Sequence, residues 1–203
     1  MDERQIKHDL DRLAEKDGRV AEGLALVGYP PPRIRPHGFE TLLRIIVGQQ
    51  ISTHAADAIL TRLDAALPEV TPEGFLALGG EELRAVGFSG RKIEYANGIA
   101  EAILSGALDI ERLAAMNDTE VIKELVKLRG IGVWTAEIYA MFSLGRRDVF
   151  PADDIALQEA LRRLRGLAER PSGKEARKLV ENWAPWRSVG VLFLWAYYRG
   201  APR

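Results

Sequence analysis

The sequence predicts an all-α fold. Three observations carry this. Apolar residues recur at helical spacing in one segment after another. Those segments are preceded by helix-start residues, often with an acidic residue three positions on. No run shows the two-residue alternation of a half-buried strand. With 203 residues, 47% of them hydrophobic, the chain can bury a core as one large domain or two small lobes.

Taken in order, the N-terminal stretch MDERQIKHDLDRLAEKDGR opens two helices, which Pro30-Pro31-Pro32 brings to an end. In GFETLLRIIVGQQ, Phe39, Leu42, Leu43 and Ile46 share one helical face. Ser52 is placed to cap STHAADAILTRLDAAL, which stops before Pro68. Thr71-Pro72-Glu73 combines a cap, a first-turn proline and an acidic first turn. Ser89 opens SGRKIEYANGIAEAIL, ending near Gly106, and Asp109 starts a short helix. Asn117-Asp118-Thr119-Glu120 and Ser172-Gly173-Lys174-Glu175 read as capping boxes before VIKELVKL and ARKLVENW. A further break is expected from Gly145 to Pro151. The sum is roughly ten to thirteen short helices, without repeats or low-complexity tracts.

Composition removes several functions. The chain has no cysteine, which excludes disulfides, thiolate zinc sites and iron–sulfur clusters. His8, His37 and His54 are not spaced as metal pairs. The expectation is an intracellular, soluble protein: no apolar run reaches the ~20 residues of a membrane span, and the charged start has no signal-peptide core. A net charge of −1 means that any surface for nucleic acid must be local. The basic run Arg162 to Lys178 is interleaved with Glu159, Glu169 and Glu175 and reads as a solvated helix face.

The stretch LRGIGVWTAEIYAMFSLGRRDVFPADDIAL places a tight turn, Arg129-Gly130-Ile131-Gly132-Val133, upstream of the pair Asp153-Asp154. Glycines permit positive φ and close backbone approach. The helix that follows starts with free N–H groups, which attract an anion such as a phosphate. Spacing alone leaves a plain αα-hairpin open beside that reading.

LRGIGVWTAEIYAMFSLGRRDVFPADDIALQEAL resembles the helix-hairpin-helix, Gly/Pro-rich loop and aspartate signature of the HhH-GPD DNA glycosylases. Within them it is most similar to the 3-methyladenine DNA glycosylase II type. LLRIIVGQQIS, GFSGRKIEYANGIAEAI and WAPWRSVGVLFLW resemble further segments of that type, so the likeness spans Gly38 to Gly200.

The resemblance implies a two-lobed helical fold with a cleft between the lobes. A central lobe would cover 38–146, and both termini, 1–37 and 147–203, would form the second. It implies a base-excision-repair enzyme that flips alkylated purines, 3-methyladenine or 7-methylguanine, out of double-stranded DNA and hydrolyses the N-glycosidic bond. Asp154 would stabilise the oxocarbenium-like sugar and orient water, with Asp153 a candidate helix cap. Trp195, Trp134, Tyr139 and Gln49 would line the base pocket, and Gln50 would fill the gap in the strand. Gly130, Ile131, Gly132, Val133, Arg91 and Lys92 would hold DNA phosphates, and His37 is placed to approach DNA or the pocket. No cofactor is required; backbone carbonyls of Leu128 and Ile131 are candidates for a monovalent cation. The aromatic residues all have core packing as a competing role, and Trp183 and Trp186 are assigned to it.

Two departures refine this. The β-rich N-terminal domain often carried by such enzymes is expected to be absent. Bifunctional members place a lysine where this chain has Trp134, so no Schiff base and no lyase step is expected. The implied protein is a monomer, cytoplasmic in a prokaryote and nuclear in a eukaryote. A non-catalytic helix-hairpin-helix DNA-binding module and a glycosylase for deaminated bases are the rival readings.

Overall fold

A computed structural model gives the structure, described for residues 1–201. Among these residues the chain forms twelve α-helices, two short 3-10 segments and no strand. In order they are α1 (Glu3–Lys16), α2 (Gly18–Val27), α3 (Phe39–Gly48), α4 (Thr53–Ala66), α5 (Pro72–Ala77) and α6 (Gly80–Val86). Then come α7 (Gly90–Leu104), α8 (Asp118–Leu125), α9 (Val133–Phe142), α10 (Ile155–Arg165), α11 (Gly173–Leu179) and α12 (Arg187–Gly200).

The caps form where the local sequence places them. Ser52, Thr71 and Ser89 each accept a hydrogen bond from the backbone N–H three residues on, and Asn117 and Ser172 form the two capping boxes. Each such cap contributes about 1 kcal/mol by satisfying a helix-end donor. Asp109 does start a turn, by accepting from Arg112 N at 3.0 Å, but that turn is the 3-10 segment Glu111–Ala115.

The chain divides into two compact units, one of residues 35–139 and one of residues 1–34 with 140–203. The division falls inside α9. In the unit of 35–139, α7 packs on α3, α5 and α6, and α4 packs on α3 and α6. Leu42, Leu43, Ile46, Leu63 and Phe75 are fully buried there, the apolar face anticipated for α3 among them. Burying each such side chain favours folding by about 1.5–3 kcal/mol.

The unit made from both chain ends packs α12 against α1, α2 and α10. Gly23 lies against Phe193, whose ring would sit 2.7 Å from any added Cβ. Gly190 lies equally close to Trp183, which is fully buried. This core also holds charge. Asp9 is wholly buried and accepts from Arg147 Nε at 3.0 Å, from the same guanidinium's Nη2, and from Gln5. Asp17 accepts from Trp183 Nε1 at 2.7 Å and from the Arg165 guanidinium. Burial alone would raise the Asp17 carboxyl, but the Arg165 and Trp183 hydrogen bonds outweigh it and hold it below its ordinary value.

Candidate functional site

The carboxylate loop belongs to the unit of both termini. Asp154, half-buried, is the N-cap of α10 and accepts from Leu157 N at 3.0 Å. This corrects the expectation for Asp153, which is exposed and is not the cap. The Asp153 carboxylate instead lies over Gly173, where a Cβ would stand 2.2 Å from Oδ1.

What precedes Asp154 is unusually well fastened. Four successive carbonyls, Val149 to Ala152, each accept a hydrogen bond. The donors are Ser188 Oγ (3.1 Å), Arg177 Nη1 (3.2 Å), Asp154 N (3.0 Å) and Gln158 Nε2 (2.8 Å). The Val149 N–H donates back to Ser188 Oγ at 2.9 Å. A loop whose backbone is satisfied from four directions holds its terminal carboxylate in one place.

Sequence reasoning missed Gln158, Ser188 and Arg177. Arg177 had been counted in a solvated basic run. Gln158 did carry a signal: it is a buried amide on a face otherwise made by Leu157, Ala160, Leu161 and Leu164.

Trp195, also in this unit, is half-buried beside Phe142, the ring centroids 5.9 Å apart and tilted by 31°. The Arg33 guanidinium lies over its indole at 5.4 Å, so the ring already accepts a cation on its face.

The hairpin belongs to the unit of 35–139. Gly130 has φ +90°, and a Cβ there would meet the Tyr95 ring at 2.4 Å. Both backbone and space therefore demand glycine. Gly132 carries neither restriction. Its carbonyl accepts the first helical bond, from Ala136 N at 3.0 Å, so it caps α9 without contributing a side-chain acceptor. The helix thus begins with backbone donors that no cap side chain of Gly132 covers. Ile131 is buried and anchors the turn, and Val133 is exposed. Arg129 is ion-paired with Glu94, and Arg91, at the start of α7, is exposed.

Trp134 is 37% exposed and borders a groove of about 460 Å³ with Pro36, Thr41, Gly48, Ile51 and Leu60. Gln50 is exposed at φ +57°, the one non-glycine residue with positive φ among those described.

Three expected site residues are placed differently. Tyr139 has no accessible surface: its Oη accepts from Gly38 N at 3.0 Å and sits 2.8 Å from His37 Nδ1. Burial pushes its phenol up to about 12. It fixes the entry to α3, as His37 does, instead of presenting a ring. Gln49 spends its amide N–H groups on the Gly130 carbonyl and Thr135 Oγ1, both at 3.1 Å. The Lys92 ammonium donates to the Val47 carbonyl at 2.6 Å, and burial holds it below the usual lysine value.

Residues 43–185 match the model of the HhH-GPD superfamily of base excision DNA repair proteins. The chain belongs to this superfamily. It is 37% identical over 177 residues to DNA-3-methyladenine glycosylase 1 of Schizosaccharomyces pombe, covering 84% of this chain and 78% of that protein. It is similar in fold and sequence to a DNA-3-methyladenine glycosidase from Bacillus halodurans (TM-score 0.83, 35% identity, 94% of this chain and 89% of that one). It also matches an S. pombe 3-methyladenine DNA glycosylase in complex with abasic DNA (TM-score 0.82, 34% identity, 93% and 95% covered).

The match covers the glycine hairpin and the carboxylate loop, both of which are formed in the structure. No helix among the described residues is long and apolar enough to cross a membrane. Among the same residues no group of three or more His, Asp or Glu is arranged to hold a metal.

Proposed function

We propose that this chain is a DNA glycosylase that removes alkylated purines such as 3-methyladenine and 7-methylguanine from duplex DNA. The observation that carries the reading is Asp154: a half-buried carboxylate on a loop with every carbonyl from Val149 to Ala152 bonded. The relatives named above supply its context, since two are called 3-methyladenine glycosylases and one is bound to abasic DNA.

The chemistry follows. Cleaving an N-glycosidic bond leaves positive charge on the sugar. A fixed carboxylate stabilises that charge without reorganising and orients the attacking water. An N-alkylated purine is already cationic and departs without a general acid. Trp195, in the unit that carries Asp154, offers an electron-rich face to such a base, and the Arg33 stack shows that the Trp195 indole attracts a cation. Gln50, exposed in a strained backbone, takes the place of the extruded nucleotide. The N–H groups at Gly130 to Val133, with Arg91, hold phosphates, which gives affinity without sequence readout. Trp134 stands where lyase-type members carry an amine, so the enzyme acts by hydrolysis alone.

A monovalent cation at the hairpin would be held by the Leu128 and Ile131 carbonyls. Leu128 O accepts one bond, from Ile131 N at 3.1 Å, and keeps a second lone pair for such an ion.

The test is chromatography of bases freed from alkylated duplex DNA. Release of 3-methyladenine and 7-methylguanine, with strands left intact until alkali is added, is the expected result. Equal binding to damaged and undamaged duplex with no freed base would instead identify a non-catalytic DNA-binding module.

A further inference from the structure

The segment after α3 is held by side chains from two directions. The helix ends at Gly48, the chain turns extended at Gln49 and enters the left-handed region at Gln50. For a residue with a Cβ that region costs about 1–2 kcal/mol, so something must hold the chain there. Two side chains do. Lys92 binds the last turn of α3 through the Val47 carbonyl, and Gln49 reaches across to Gly130 of the hairpin and Thr135 of α9. The anchors converge on α7, since Lys92 and Tyr95 lie one turn apart on it and Gly130 seats against the Tyr95 ring.

We propose that Gln49 and Lys92 are positioning residues that make the hairpin and the Gln50 turn one rigid part. A phosphate gripped at the hairpin then fixes where Gln50 enters the strand, so DNA binding and nucleotide extrusion share one register. This rests on the reading of the chain as a base-extruding glycosylase. In this role neither residue has to touch the base or a phosphate: both amide N–H groups of Gln49 bond protein oxygens, and one donor of the Lys92 ammonium bonds a helix-end carbonyl.

The experiment compares the full-length protein with Gln49→Leu, Lys92→Met and Thr135→Val. The last removes one of Gln49's two acceptors at similar volume, and it decides the matter if Gln49→Leu does not fold. Arg91→Gln is the phosphate control. Three quantities are measured: the salt dependence of binding to undamaged duplex, base release under single turnover at saturating enzyme, and the fluorescence of 2-aminopurine placed beside the lesion. Loss of the tie is expected to slow base release by roughly ten- to a hundredfold, the scale of a small misplacement. The 2-aminopurine signal of unstacking falls with it, and Thr135→Val falls in between. The salt slope stays at the wild-type value, whereas Arg91→Gln lowers it by about one.

If Lys92→Met and Gln49→Leu lower the salt slope together with release, both are phosphate contacts and the tie is wrong. Wild-type release and unstacking in all three variants would also overturn it. Failure of the wild-type protein itself to free any base would remove the glycosylase reading, and the tie with it.

Discussion

The unit built from both chain ends fixes its working loop with polar bonds and charge, whereas residues 35–139 fix theirs mainly by close packing. In the first, side chains from α10, α11 and α12 reach the carbonyls of 149–152, and buried Asp9 and Asp17 are matched by Arg147 and Arg165. In the second, Gly130 packs against the Tyr95 ring, and among the bonds described Gln49 is the one side chain that bonds the turn's backbone, at the Gly130 carbonyl. The difference suits the two tasks. Under the proposed function, a carboxylate that meets developing charge needs a set position and a polar frame. Under the same proposal, a hairpin that admits a phosphate needs its backbone bare.

Breaking the first unit should cost most. Arg147→Met leaves Asp9 buried without its guanidinium, and the loss should be about 3 kcal/mol. Urea unfolding measures it, and a loss under about 0.5 kcal/mol would mean that the pair contributes no more than a surface pair does. Next comes Gly130→Ala. The left-handed backbone alone costs about 1–2 kcal/mol, and the Tyr95 contact adds to it. Gly132→Ala has open space and ordinary φ, so its melting point should match the wild type. Its Cβ would nonetheless stand where the proposed phosphate approaches, so duplex affinity should fall while stability does not. If the two glycine variants lost stability equally, the packing account of the hairpin would be wrong.

The comparison also has a pH signature. Asp17 is held below its ordinary value, so its contribution is present above the unfolded value of about 4 and is lost as pH falls through the folded one. Tyr139 is raised to about 12, so the unfolded chain releases its proton near 10 while the folded one keeps it. Stability then falls as pH rises from about 10 to about 12. Tyr139→Phe should flatten that alkaline slope and leave the acid limb unchanged. Asp17→Asn should flatten the acid limb only.

These contrasts mark what the sequence made legible. Caps such as Ser52, Asn117 and Ser172 bond three residues away, so local spacing was enough to find them. The turn at Gly130 was visible, but its reason was not, because Tyr95 lies 35 residues upstream. α6 went unread because its N-cap is Gly79, which lacks the side-chain acceptor that marks the comparably short α5 and α11. The resemblance implies base and phosphate roles for Gln49 and Lys92. Their bonds to the Gly130 and Val47 carbonyls and to the Thr135 hydroxyl join residues that only the folded chain brings within reach. Tyr139 shows the same limit: an aromatic residue near a site is as readily a buried strut as a wall.

Asp154→Asn bears most directly on the central claim. The variant keeps an acceptor oxygen for Leu157 N, so α10 stays capped and the fold stands. Single-turnover release of 3-methyladenine from alkylated duplex, measured beside affinity for the same DNA, should show excision abolished with binding within about twofold of the wild type. Excision near the wild-type rate would place the chemistry on some other group and contradict the account.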